Sequence, residues 1–299
     1  MINKKIHMSG IECLKGEYAN QINSSIWIEK LLNYGFPKYY NGIIKIEYSE
    51  FCKLLNDHNE YKSLVDEVIK GKIIILKNAL STQCVDNLKN KSIEFWKNNE
   101  DTFNKMYENC KNFHRVIDEK RSEFYSIKAI KHSSYIFPWN EDFTSSRNEI
   151  NNVWSNLKIF QGLKKDAFEN NTPKDKIVDR IQICLYPPKI GYLQTHTDPT
   201  HNQLIFISGY LSKRGSPGAY SSGGFYAVDI SKNKVDLEDN INEGDMSFGM
   251  ATIMHGVNTI DPDYSDEIDW YGYRGRWFLG LYSNDSDEVV NRITAKQVD

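Results

Sequence analysis

Two histidines and one aspartate carry the first chemical signal in this chain: His196 and Asp198, two residues apart, and His255, 57 residues after Asp198. With 7 His and 40 acidic residues in 299 positions, chance supplies about one His-x-Asp/Glu triplet, so context has to decide. The chain contains two such triplets. His58-Asn59-Glu60 lies in a polar stretch leading into a helix, where residues two apart point in different directions and cannot share an ion, so we read it as coincidence. His196-Thr197-Asp198 follows an apolar strand through Pro187, Pro188 and Gly191, and in extended chain residues two apart project to the same side. His255 sits in Ile253-Met254-His255-Gly256-Val257, which also reads as a strand. Two histidines and a carboxylate on one face of an octahedral ion leave its other face open to a cosubstrate and dioxygen.

The elements that must position these groups differ between the two halves of the chain. In the first half the pattern is mostly helical, with one clear strand at Lys72–Lys77 after a helix that stops at Gly71. Ser81 has the form of an N-cap, and Val85, Leu88, Ser92, Phe95 and Trp96 recur on one helical stripe. A second helix is expected from Ser145 or Ser146 to Gly162, with Ile150, Val153, Leu157 and Phe160 on its apolar face. After residue 176 short runs alternate with Gly, Pro, Asn and Asp: 177–186, 203–211, 224–230, 245–248, 253–259 and 276–282. Many short, turn-punctuated strands predict a β sandwich or barrel. We take residues 72–299 as one catalytic domain and residues 1–71 as a helical extension or lid.

Composition narrows the partner class. The 37 Lys and Arg nearly balance the 40 Asp and Glu, which gives no single-sign field for nucleic acid. The five cysteines are odd in number and lack Cys-x-x-Cys spacing, which points to reducing cytosol and away from a disulfide framework or structural zinc. No apolar run suits a membrane span, and the opening ten residues carry no leader-like run. The expected partner is a small molecule in a cytoplasmic protein. An aromatic content of 13% suits both a packed β core and an organic-molecule pocket.

The stretch Tyr186-Pro-Pro-Lys-Ile-Gly-Tyr-Leu-Gln-Thr-His-Thr-Asp198, then Gly223-Gly224-Phe225, Gly244-Asp245, His255-Gly256-Val257 and Gly275-Arg276-Trp277-Phe278, resembles the Fe(II)/2-oxoglutarate-dependent dioxygenase superfamily. The resemblance covers roughly residues 177–285. It implies an α+β protein built on a double-stranded β-helix, the jelly roll shared with cupins, with flanking helices mostly from the N-terminal half. It also implies that His196, Asp198 and His255 hold iron(II), and that Arg276 grips the far carboxylate of 2-oxoglutarate through its planar fork. Arg274, two residues earlier, is the alternative. The carboxylate at Asp198 favours hydroxylation, since related halogenases have a small residue there that admits chloride, and desaturation, epimerisation and ring formation use the same triad. Dioxygen is the second cosubstrate, and succinate and CO2 are the expected by-products.

Weaker signals surround this set. Arg180, Gln182, Cys184 and Tyr186 alternate with Ile181, Ile183 and Leu185, so one strand face is polar, and Tyr186 or Gln182 could bond 2-oxoglutarate or substrate. His201 is expected to serve a local turn, and Gly223 and Gly224 a bulge or close backbone approach. The segment Ser133–Asn140 and the trio Phe113-His114-Arg115 offer groups for a small polar substrate or for packing of the helices on the barrel. Two rivals stay open: a cupin-like metal-binding isomerase or sensor, and a carbohydrate-binding jelly roll with incidental histidines.

Overall fold

The computed structural model describes residue 11 and residues 13–298; the first ten residues, read above as lacking a leader-like run, lie outside the described residues. In chain order the elements begin α1 (Gln21–Tyr34), β1 (Ile43–Glu47), α2 (Tyr48–Leu54), α3 (His58–Ile69), β2 (Ile73–Lys77) and α4 (Thr82–Asn98). There follow β3 (Phe113–Ile117), α5 (Glu119–Ser122), β4 (Ala129–Ile136) and α6 (Arg147–Phe160). The second half is almost all strand: β5 (Ile177–Tyr186), β6 (Tyr192–Thr197), β7 (Ile205–Tyr210), β8 (Gly224–Val228) and β9 (Lys234–Asp236). It ends with β10 (Met246–Met250), β11 (His255–Asn258), β12 (Arg276–Asp285) and β13 (Lys296–Gln297).

The strands form two sheets. One runs β1-β2-β10-β7-β12-β5-β4, and the other β4-β6-β11-β8-β9. Within them the orders β5-β12-β7-β10 and β6-β11-β8-β9 are antiparallel throughout, which is the double-stranded β-helix. Strand β4 belongs to both: Ala129 and Ile130 pair with β6, while His132–Ile136 pair with β5. It closes one side of the roll.

Alternation on β5 and β12 explains the layering. Ile181, Ile183 and Leu185, with Trp277, Leu279 and Leu281, are buried in the main apolar core, which the helices also enter. Arg180, Gln182 and Tyr186, with Arg276 and Tyr282, therefore take the opposite face, inside the roll. The helices are held by specific contacts as well as by apolar area. The Phe160 carbonyl, left without an intrahelical partner at the end of α6, accepts Trp27 Nε1–H at 2.6 Å and the Tyr61 hydroxyl at 2.7 Å. Ser81 accepts from the Cys84 N–H as the N-cap of α4. Residues 11–71 are not set apart: Trp27, Phe51 and Tyr61 share the core of the β layers, and β1 pairs in parallel with β2.

The sequence reading of the first half as helix with one strand needs correction, because β1, β3 and β4 are also strands. Strand β4 escaped because His132, Ser133 and Ser134 make it look like a loop, yet all three are buried. Their polar atoms are bonded inside the fold: Ser134 Oγ accepts Trp96 Nε1–H at 2.7 Å, and Ser133 Oγ meets Cys184 Sγ at 3.2 Å.

A buried ion pair ties α6 to the roll. Lys158 Nζ donates to Asp179 Oδ2 at 2.5 Å and to the Ala167 carbonyl at 2.6 Å, and Asp179 Oδ1 accepts from Ser283 at 2.8 Å. Burial raises the Asp179 carboxyl above the usual range, against the pull of Lys158. Lys158→Met strands that carboxylate, so a loss of about 3–5 kcal/mol is expected at neutral pH. Because the folded-state pKa lies above the unfolded one, the loss should shrink as pH falls and Asp179 is protonated. Urea titrations at two pH values check this; a loss under about 1 kcal/mol, or one that grows in acid, contradicts it.

Candidate metal centre

His196 sits near the end of β6, and Asp198 follows just beyond it, its N–H donating to the Ala251 carbonyl at 2.9 Å. His255 opens β11, which pairs antiparallel with β6 so that His255 lies directly opposite His196. The three side chains each offer one donor atom within 4.8 Å of the others. His255 Nε2 is 3.6 Å from Asp198 Oδ2, and His196 Nε2 is 3.9 Å from Asp198 Oδ1. The two rings lie 4.4 Å apart.

Both histidines are prepared in the same way. His196 Nδ1 faces the Gln194 carbonyl at 2.9 Å, and His255 Nδ1 faces the Ile253 carbonyl at 2.8 Å. A carbonyl can only accept, so each Nδ1 carries the proton and each Nε2 turns its lone pair toward the shared point. Burial, followed by the neighbouring His255, pushes His196 down to about 4, so its ring is neutral at ordinary pH as a ligand must be.

A cavity of about 380 Å³ opens beside the triad, with His196 and Asp198 in its wall. The same wall carries Arg180, Gln182, Tyr135 and Tyr282, all inward-facing strand residues, and Phe113 and Phe137 supply apolar surface. Of the groups singled out in the sequence, Gln182 thus lines the cavity; its Nε2 reaches Ser133 Oγ at 3.4 Å and its Oε1 accepts from Arg180 Nη2 at 3.2 Å. Tyr186 does not line it. Its ring is buried and lies 5.8 Å from the Arg276 guanidinium, and burial raises its hydroxyl well above the usual range.

Arg276 is fully enclosed, at 1% exposure, and also stands outside that cavity wall. Its Nε donates to Glu238 Oε1 at 2.5 Å, and Glu238 accepts further from the Phe225 N–H at 2.6 Å and the Tyr220 hydroxyl at 2.7 Å. Burial works against the charge of Arg276, but Glu238 together with Tyr220, Tyr210 and Tyr186 outweighs it and raises the group above its ordinary value. Both terminal nitrogens, Nη1 and Nη2, are buried without a partner. Aromatic rings connect this arginine to the triad: Tyr210 is 5.6 Å from its guanidinium, Phe225 is 6.3 Å from Tyr210, and His255 is 6.0 Å from Phe225.

Arg274 is elsewhere. Its side chain is 48% exposed, lies 4.0 Å from Asp261 and packs over Tyr264. Arg274 and Arg276 do not share a strand face, because Arg274 precedes β12 and Gly275 between them adopts φ +134°, which breaks the alternation. Gly223 and Gly224, at φ +78° and +119°, allow close backbone approach: a side chain on Gly224 would run into Glu238, and one on Gly223 into the Thr259 carbonyl. His201 pairs with Asp285 at 2.9 Å, tying the turn after the triad to the end of β12.

Sequence reasoning passed over Lys131 and Tyr282 in the cavity wall. Tyr282 had a signal, since it stands six residues after Arg276 on one strand and so shares its face. Lys131 had none, because no local pattern marks β4 as a strand.

No protein-family model matches the sequence, and no curated protein does. Among solved structures, the chain is similar to full-length Neurospora crassa T7H in complex with alpha-KG at 15% identity, over 81% of this chain and 85% of that one, with a TM-score of 0.49. It is similar to a Pseudomonas putida prolyl-4-hydroxylase at 13% identity, over 74% and 96%, with a TM-score of 0.42. A third likeness, to the alpha-ketoglutarate-dependent epimerase SnoN from nogalamycin biosynthesis, has 8% identity over 73% and 82%, with a TM-score of 0.41.

Proposed function

We propose that this chain is an iron(II)- and 2-oxoglutarate-dependent oxygenase that hydroxylates an unactivated C–H bond of a small polar metabolite, such as an amino acid, a sugar or a natural-product intermediate. The observation that carries the reading is the triad itself: two histidines with fixed tautomers and one carboxylate, converging beside a cavity. That donor set suits iron(II) and leaves coordination positions open. The residues also fit the cosubstrate. Two buried, unpartnered guanidinium nitrogens on Arg276 are what a carboxylate would satisfy, and their orphaned state is costly without one.

Iron, 2-oxoglutarate and dioxygen together supply the oxidising chemistry when bound. The chain contributes the rest: His196, Asp198 and His255 hold the ion, Arg276 anchors a carboxylate, and the apolar cavity wall excludes water. Succinate and CO2 are the by-products.

The test is anaerobic. Protein loaded with iron(II) should change its visible spectrum when 2-oxoglutarate is added, and a screen over amino acids, sugars and nucleotide-linked metabolites should then reveal substrate-dependent succinate. A metal-binding isomerase, a sensor or a carbohydrate-binding jelly roll predicts no response to 2-oxoglutarate. Iron binding without any spectral response would therefore replace the oxygenase reading with one of those.

A further inference from the structure

We propose that Arg180 is the specificity residue of the cavity and that the substrate is a small carboxylic acid, bound through its carboxylate to this guanidinium with an apolar body against Phe113 and Phe137. The inference deepens the oxygenase reading and rests on it. Arg180 lies on the inner face of β5, where its guanidinium sits between two rings, 5.4 Å from Tyr135 and 5.0 Å from Tyr282. The rings fix its plane, so its fork is already oriented for a planar anion.

Its charge is uncompensated. The one hydrogen bond to it within the described protein is from Nη2 to the neutral Gln182 Oε1 at 3.2 Å, and its Nε is buried without a partner. Among the described residues no carboxylate forms an ion pair with it, in contrast to Arg276 with Glu238 at 2.5 Å and Arg292 with Asp287 at 2.9 Å. Burial lowers its pKa, and nearby Arg292 adds to the lowering. Lys131 adds a further cation to the wall. A partly buried arginine without a counter-ion is unfavourable, and a ligand carboxylate entering from the cavity would complete the pair.

The remaining surface sets the body of the ligand. Phe113 stacks on Tyr135 with centroids 4.6 Å apart and lies 6.2 Å from Phe137, which gives an apolar wall next to the cation. A neutral sugar offers Arg180 no carboxylate, and a cationic amine would meet like charge. A volume of about 380 Å³ holds an acid of metabolite size.

The probes are acetate, phenylacetate and N-acetylphenylalanine, each paired with its neutral amide. Binding to iron(II)-loaded protein holding 2-oxoglutarate without oxygen is followed by ligand-detected NMR and by thermal shift. At least one acid should bind about 10- to 100-fold more tightly than its amide, the usual worth of hydrogen bonds to a charged partner. Arg180→Met should erase that preference and melt no lower than wild type without ligand, because it removes an unpaired, partly buried charge; Arg180→Lys should retain part of it. The spectral response to 2-oxoglutarate should persist in both variants. Equal binding of acids and amides, no binding of any acid, or an unchanged preference in Arg180→Met overturns the proposal. Loss of the 2-oxoglutarate response in Arg180→Met also overturns it and assigns Arg180 to the cosubstrate. Failure of the wild-type spectral response would instead strike the oxygenase reading, and it is measured first.

Discussion

His196→Ala and His255→Ala should each abolish iron binding and all turnover while the fold survives. Neither ligand has a substitute: His201, the next histidine in sequence after His196, is tied to Asp285, and His132 is bonded to His114 and the Trp270 carbonyl. Removing an outer partner of a metal ligand costs about 10- to 100-fold in affinity, and losing the ligand itself should exceed that. The expected cost to stability is about 1–3 kcal/mol, from packing of rings such as Phe206, which lies 4.7 Å from His255. Metal analysis after gel filtration with circular dichroism measures both sides. Full iron occupancy in both variants would falsify the assignment of the triad.

Arg276→Leu should have two separable effects. It removes the guanidinium nitrogens that await a carboxylate, so 2-oxoglutarate should weaken by about 1.5–3 kcal/mol or more. It also strands Glu238, which is 2% exposed, and so should destabilise the fold by about 3–5 kcal/mol. The double variant Arg276→Leu with Glu238→Gln separates these. Stability should largely return, because the introduced amide carries no charge, its oxygen can still accept from the Phe225 N–H, and its NH2 can donate to the Tyr220 hydroxyl oxygen, while 2-oxoglutarate binding stays weak. Arg274→Leu should change neither quantity, since Arg274 lies at the surface against Asp261 and Tyr264. Wild-type affinity for 2-oxoglutarate in the double variant would remove Arg276 from the cosubstrate site.

The two arginines show how electrostatics divide the interior. Both lie on inward faces of adjoining strands, β12 and β5, Arg276 fully buried and Arg180 partly so. One has Glu238 as a fixed counter-ion and keeps only its terminal nitrogens free; the other has none. A dicarboxylic cosubstrate and a carboxylate substrate would thus meet different charge environments. A carboxylate at Arg276 would bind next to Glu238, whereas one at Arg180 would neutralise a cation that has no ion-pair partner among the described residues.

Local periodicity carried much of this in the sequence. Residues two apart in extended chain share a side, which gave the His196 and Asp198 pair, and alternation on 177–186 marked Arg180, Gln182 and Tyr186 as one polar face. Turn punctuation marked β5, β7, β8, β10, β11 and β12, though not β6, β9 or β13, and the stripe behind Ser81 marked α4. Each of these signals lives within a few residues of chain, where backbone geometry alone fixes which side chains point together.

What lies across long sequence separations was decided by pairing. His255 meets His196 because β11 and β6 are registered antiparallel, and Arg276 meets Glu238 because the turn after β9 folds beneath β8, where Glu238 also takes the Phe225 N–H. Strand β4 is polar in sequence but buried, since Trp96 and Cys184 supply partners that no local pattern could reveal. Charge compensation is likewise a property of three-dimensional neighbours. From the chain alone Arg180, Arg274 and Arg276 are three cations near strands; in the fold one is at the surface, one is paired, and one faces the cavity without a counter-ion. The physical reason is that side-chain direction follows from local backbone geometry, whereas desolvation and Coulomb partners follow from which distant strands lie side by side.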